Sequence, residues 1–223
     1  MLRFDLHIHS NFSRDGYDSV DTILKRAKEI GLHGIAITDH NTVEGGLTAI
    51  KRAKDLGLDL MVIPGVEVST AEGHLVALGI TKDIPPDLPV DETIKIIKGL
   101  GGIVIVPHPF HPFRHGLGYV PKDVDAVEVY NSRSILGYSN ERARNAAARM
   151  GMSMVAGSDA HTASMVGYAI TEINAKPDVG DVLDAIKVGG TKIRAKKIPL
   201  HIFAKQSIRG VPRRIHRFIS KHR

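Results

Sequence analysis

Short apolar, β-branched runs alternate along this chain with longer stretches of helical spacing, and no other feature limits the possible folds as strongly. The runs are LRFDLHI (2–8), HGIAITDH (33–40), LMVIPGVEVS (60–69), GIVIVPHP (102–109), DAVEVYN (125–131) and SMVAGSDAH (153–161). Near-continuous apolar character predicts strands buried on both faces, as in a parallel sheet. Between the runs, 19–30 places Val20, Ile23, Leu24, Ala27 and Ile30 on one helical face, with Gly31 as a stop. Residues 43–56, 91–100, 137–150 and 179–188 read as helices in the same way, and GHLVALGI (73–80) as an extra strand or hairpin. Six or seven βα units in 223 residues predict an α/β barrel rather than an open sheet, because the repeat fills the chain without a second architecture.

The polar residues acquire positions from this pattern. His7 and His9 close the first run, Asp39 and His40 the second, Glu67 lies near the end of the third, His108 of the fourth, Asn131 of the fifth, and Asp159 and His161 end the sixth. In a barrel of parallel strands these carboxyl ends surround one mouth, where active sites sit. Positions i and i+2 of a strand share a face, so His7 and His9 form a pincer, and Asp159 and His161 have the same spacing.

With no cysteine in the chain, a metal would be held by His, Asp and Glu. Imidazole with carboxylate suits zinc, manganese or iron, and Glu67 or Asp159 could bridge two ions. The candidate ligands are His7, His9, Asp15, His40, Glu67, His74, His108, Asp159 and His161. Nine exceeds the needs of one tetrahedral ion, so two or three divalent ions are expected. Each residue alone has an ordinary explanation: Asp39 as a helix cap, Glu67 in a surface ion pair, His108 as a loop residue between prolines. Together, all at strand ends or beside them, they read as one site.

In sequence order, DLHIHSNFSRDG, AITDHNTVEG, PGVEVST with GHLVALG, PHPF and GSDAH resemble the motifs of the polymerase and histidinol phosphatase (PHP) family over about residues 2–168. The resemblance implies a metal-dependent phosphoesterase on a distorted (β/α)7, TIM-like barrel holding up to three ions. Carried over by position, it implies that His7, His9, Glu67 and Asp159 hold the first ion. Glu67 would bridge to a second, completed by His74 and His108, and Asp15, His40 and His161 would hold the third. The chain is most similar to the small stand-alone branch that acts on phosphate esters of nucleotides and short oligonucleotides, including enzymes of 5′–3′ exonuclease type. The 40 residues between Glu67 and His108 leave little room for the long insert of its larger members.

For such chemistry the expected catalytic set is His161, as proton donor to the leaving oxygen, with Arg114 and Arg133 gripping the phosphate through forked contacts. Asp5 and Asp39 are expected to orient ligand histidines from behind. Two alternatives accompany this reading: a histidinol-phosphate phosphatase, and a non-catalytic nucleic-acid-binding module with structural metals.

The net charge of +6 is uneven. From Lys192 onward there are 11 Lys or Arg and no acid, which leaves 19 basic against 24 acidic residues before it, a net of −5. The expected organisation is therefore a phosphoesterase domain over 1–191 and a basic, helical extension over 192–223. In the extension Ile208, Val211, Ile215, Phe218 and Ile219 fall at helical spacing. That amphipathic pattern suits packing on the barrel, with contact to nucleic acid or adhesion to an anionic membrane as the competing uses. No apolar run is long enough to span a bilayer and no secretion signal is evident, so the reading is cytoplasmic.

Overall fold

The computed structural model describes residues 1–134, 137–199 and 201–202. Nine strands form one sheet among these residues: β1 (Leu2–Ile8), β2 (Gly34–Ile37), β3 (Met61–Ser69), β4 (His74–Leu78), β5 (Ile103–Val106), β6 (Ala126–Asn131), β7 (Ser153–Gly157), β8 (Ala169–Ile173) and β9 (Thr191–Ala195). Five α-helices accompany them: α1 (Val20–Glu29), α2 (Glu44–Asp55), α3 (Val90–Gly99), α4 (Tyr138–Met150) and α5 (Val179–Lys187). The sheet order is β7-β6-β5-β4-β3-β2-β1-β8-β9. It curls into a nearly closed, TIM-like barrel, as the βα alternation predicts.

The distortion lies in two reversed strands, β4 and β8. β4 pairs antiparallel with both β3 and β5, and β8 pairs antiparallel with both β1 and β9, so β9 again runs in the direction of β1. The six apolar runs are six of the seven co-directional strands, so their carboxyl ends meet at one mouth. The 73–80 stretch forms the hairpin partner of β3, with Ser69 opposite His74. β9 belongs to the basic extension in composition, yet its residues 191–195 pair along the whole of β8. Ile198 is buried in the cluster beneath α1, and Ile202 packs against that cluster. The amphipathic positions 208–219 lie outside the described residues.

The seam between β7 and the β1–β8 side closes largely through side chains. Thr171 Oγ1 accepts from Ala156 N–H and donates to Ala156 O, both at 2.9 Å. Thr191 Oγ1 donates to Met154 O at 2.7 Å. Asp5 accepts from Ser158 N–H at 3.0 Å and from Gly167 N–H at 2.8 Å. At the mouth, Ile8 and Ala160 form a parallel bridge, with His9 N–H donating to Ala160 O at 2.8 Å.

Phe4, Leu6, Ala36, Ile63, Ile105, Ala126 and Val155 fill the barrel interior, and Val182, Ala185 and Ile186 of α5 join that cluster. α1 instead buries Val20, Ile23, Leu24 and Ala27 on the outer face of the sheet. Burying Ile23 or Leu24 contributes about 1.5–3 kcal/mol each. This apolar support fixes the strands whose ends carry the polar mouth.

A candidate metal centre at the barrel mouth

Two β-bulges decide which side chains face inward. The β1–β2 register passes from Asp5↔Ile35 to Ile8↔Ile37, so β1 holds one extra residue. Phe4 and Leu6 therefore lie in the interior, whereas Ile8 joins the cluster under the helices, and His7 and His9 converge with residues of other strands. In β6 the register passes from Glu128↔Val155 to Tyr130↔Ala156, again one residue too many. The bulge brings Glu128 and Asn131, three apart, together: Asn131 Nδ2 donates to Glu128 Oε2 at 3.0 Å.

Glu67 is the hub. Its Oε1 lies 2.9 Å from His74 Nδ1 and 3.0 Å from His108 Nε2. Its Oε2 lies 3.2 Å from His9 Nε2 and 3.4 Å from both His7 Nε2 and His40 Nδ1. One carboxylate, 2% exposed, thus meets five imidazoles. Around it, four sets of ligand atoms lie within 4.8 Å of one another: His9, Asp15, His40 and His161; His7, His9 and Asp159; His7, Glu67 and His108; and His40, Glu67 and His74. All nine residues named from the sequence therefore come together. The sets overlap more than the expected three-way partition, since His9 also stands with Asp15, His40 and His161, while His74 and His108 reach the same oxygen of Glu67 in different sets.

The donor chemistry fits divalent cations. His7 Nε2 and His9 Nε2 stand only 3.2 Å apart, a geometry that suits two nitrogens sharing a cation. Two buried ligand-type atoms, Asp15 Oδ1 and His108 Nδ1, have no hydrogen-bond partner, and buried polar atoms without partners are costly. His108 and Asp159 adopt φ of 31° and 51°, left-handed conformations that non-glycine residues hold when surroundings enforce them.

Electrostatics follow from crowding in a buried space. Burial opposes protonation of His9, but contacts with Asp159 and Glu67 prevail and raise its pKa to about 9. His7 is likewise buried, yet Glu128, Glu67 and Asp159 hold its pKa well above the ordinary imidazole value. His161 goes the other way, to about 4, through burial and then the neighbouring Arg133 guanidinium. Burial also favours the neutral form of Glu67 and Asp159, but His74 and His40 around the first, and Arg133 and His7 around the second, hold both well below the usual carboxylate range.

Both arginines named from the sequence reach this site. Arg114 Nη1 donates to Asp159 Oδ2 at 2.7 Å, and Arg133 Nη1 to Asp159 Oδ1 at 3.0 Å. Arg133 Nη1 also lies 2.8 Å from His161 Nδ1, and its Nε is buried without a partner. His161 Nε2 lies 3.0 Å from Asp15 Oδ2. The loop histidines stay peripheral: His115 stacks beside His74 with ring centroids 5.3 Å apart, and His111 Nδ1 accepts from Phe113 N–H at 3.3 Å.

Contrary to the expectation from the sequence, Asp5 and Asp39 do not orient imidazoles. Asp5 braces backbone across the barrel seam, and Asp39 clamps Ser10 through its N–H and hydroxyl, both at 2.6 Å. The carboxylate that does hold an imidazole is Glu128, which accepts from His7 Nδ1 at 3.0 Å. It sits in mid-strand within an apolar run, on the interior face with Ala126 two residues before it, and nothing in the local pattern names an imidazole as its partner. Ser13 Oγ, 3.2 Å from His9 Nδ1, plays a similar part and carries no distinguishing sequence signal.

Comparison with known proteins agrees with this geometry. The PHP domain family model matches residues 5–97, and the PHP-associated model matches residues 137–191. Uncharacterized protein MJ1587 of Methanocaldococcus jannaschii is 40% identical over 156 residues, covering 65% of this chain and 90% of that protein. The 5′-3′ exoribonuclease Rnm of Salmonella typhimurium is 42% identical over 67 residues, 30% of this chain but only 22% of that enzyme. Among solved structures, a two-domain protein from Bacteroides vulgatus containing a predicted PHP-like metal-dependent phosphoesterase superposes with a TM-score of 0.72 at 20% identity, over 87% of this chain and 64% of that one. On the shared fold, the two family matches and the close relative, the chain belongs to the PHP family.

Proposed function

We propose that this chain is a metal-dependent phosphoesterase that hydrolyses phosphate esters of nucleotides or short oligonucleotides, using two or three divalent ions held by His7, His9, Asp15, His40, Glu67, His74, His108, Asp159 and His161. PHP family members are metal-dependent hydrolases of phosphate esters. The observation that carries the reading is the hub: a buried Glu67 within 3.4 Å of nitrogens from five imidazoles, beside two arginines that meet on Asp159. Divalent ions, when bound there, supply an activated water at neutral pH and neutralise charge on the phosphate oxygens.

The chain's own residues supply the rest. Arg114 and Arg133 bring guanidinium donors to Asp159 at the mouth, where their planar forks match a tetrahedral anion. Burial, followed by Arg133, brings Arg114 down to about 10, so it stays cationic at neutral pH. His161, neutral at pH 7, suits ligation. Once the phosphate charge offsets Arg133, it can instead take up a proton from solvent and pass that proton to the leaving oxygen. Asp5 and Asp39 hold the strand ends in register. The oligonucleotide preference is supported by the similarity to a 5′-3′ exoribonuclease and by the basic extension, 11 Lys or Arg beyond residue 191.

The test is hydrolysis by the Mn2+-, Zn2+- or Fe2+-loaded protein of a nucleoside 5′-monophosphate, a 5′-phosphorylated oligonucleotide and histidinol phosphate, with His9→Ala as control. Release of phosphate or nucleotide from the first two, lost in the control, is expected. No release from any substrate with any metal overturns the enzymatic reading.

A further inference from the structure

We propose that Glu128 is a positioning residue that fixes the proton of His7 on Nδ1, so that Nε2 offers its lone pair to an ion; the inference rests on the metal centre proposed above. Glu128 is 2% exposed and its two oxygens have unequal duties. Oε1 accepts from His7 Nδ1–H at 3.0 Å. Oε2 accepts twice, from the backbone N–H of His108 at 2.9 Å and from Asn131 Nδ2 at 3.0 Å. A backbone N–H can only donate. The Asn131 amide is equally fixed, because its Oδ1 already accepts from Arg133 N–H at 3.0 Å, while Nδ2 also lies 3.3 Å from Asp159 Oδ2. Asn131 is itself pinned by Asn140, which accepts from its N–H and donates to its carbonyl, both at 3.1 Å.

A carboxylate satisfies all three donors, since it has two acceptor oxygens. The consequence for His7 is tautomeric. With Nδ1–H committed to Glu128, the neutral ring must carry its lone pair on Nε2, the atom that stands 3.2 Å from His9 Nε2 and 3.4 Å from Glu67 Oε2. Such carboxylate–histidine pairs orient ligands, and removing the outer partner lowers metal affinity by about 10–100-fold. Through Oε2 the same residue ties the backbone of His108 and the Asn131–Asp159 contact to His7. One buried carboxylate thereby coordinates three of the candidate ligands without standing among them.

The decisive variant is Glu128→Gln, equal in size but with one acceptor oxygen. That oxygen is needed by the two fixed donors at the Oε2 side, so the amide NH2 faces His7 Nδ1 and drives the ring proton to Nε2, into the ion's place. Mn2+ and Zn2+ binding by wild type and E128Q is followed by calorimetric titration. Long-range 1H–15N NMR of the ring of His7 then reads its tautomer, in zinc-loaded wild type and in the metal-free variant at alkaline pH. The proposal expects affinity weakened about 10–100-fold, an Nδ1–H ring in wild type and an Nε2–H ring in E128Q. Equal affinities, or an Nε2–H ring in wild type, overturn the role of Glu128 while leaving the metal centre standing. Wild type that binds neither ion overturns both. Should E128Q fail to fold, the wild-type tautomer decides alone.

Discussion

Gly157, where β7 meets the mouth, tests whether the site is as tightly packed as the geometry states. A Cβ added there would lie 2.4 Å from His7 Cβ, 2.5 Å from Glu128 Oε1 and 3.3 Å from His7 N. Carbon atoms in contact need about 3.5–4.0 Å, so His7 and β7 must separate by more than ~1 Å. The carboxylate of Glu128 can swing aside, but the first turn of the His7 side chain cannot. Gly157 is not among the glycines with left-handed φ, so the penalty of Gly157→Ala is steric, an overpacking cost of about 1–3 kcal/mol. Because the displaced pair is His7 with its Glu128 partner, metal affinity should also fall about 10–100-fold. Gly99→Ala is the control, since a Cβ there meets nothing within 4 Å and the exchange at the end of α3 should be neutral or stabilising by up to ~1 kcal/mol. Urea unfolding and Mn2+ titration read both quantities. G157A with the unfolding midpoint and Mn2+ affinity of wild type would refute the packing argument.

Two further predictions concern pH. His9, with its pKa raised to about 9, and His7, well above the ordinary value, both hold protons in the metal-free chain at pH 7, and an ion must displace them. Mn2+ affinity should therefore rise about tenfold per pH unit for each displaced proton between pH 6.5 and 8.5, with proton release visible in buffers of different ionisation enthalpy; a flat profile would contradict it. Asp5, fully buried, is raised from 3.8 to about 6, chiefly by desolvation. Below pH ~4 both folded and unfolded chains bind this proton. Between ~4 and ~6 the folded chain keeps it while the unfolded chain loses it, so stability falls as pH rises, by about 3 kcal/mol in all. Asp5→Asn removes that slope, and urea titrations of the metal-free proteins should show the wild-type advantage shrinking by this order from pH 4 to 7; parallel curves would refute it.

The parallel part of the fold was legible in the sequence because strands buried on both faces must be apolar throughout. Helices 19–30, 43–56 and 179–188 could be read for the related reason that one face meets the sheet. β8 and β9 were not legible. β8 alternates buried Ala169, Thr171 and Ile173 with half-exposed Ile170 and Glu172, and β9 shows the same alternation among Lys and Arg, so neither stands out as an apolar run. The candidate ligands were legible from residue type plus strand-end position, and the structure gathers all nine. What the sequence hid were the residues that aim them. Glu128 faces inward by ordinary alternation but finds its His7 partner on a distant strand, Ser13 needs a loop fold, and the polar character of Asp5 and Asp39 says nothing about whether an imidazole or a backbone N–H will be the partner. Bulges and side-chain partners arise from pairing between distant segments, which no local pattern encodes.

The central claim is that the barrel mouth is a cage for divalent cations built around Glu67. Crystals grown with excess Mn2+ and measured near the manganese absorption edge locate such ions directly. The account predicts two or three anomalous peaks among His7, His9, His40, Glu67, Asp159 and His161, with one touching Glu67. An anomalous map without a peak at Glu67, under saturating Mn2+, would contradict it.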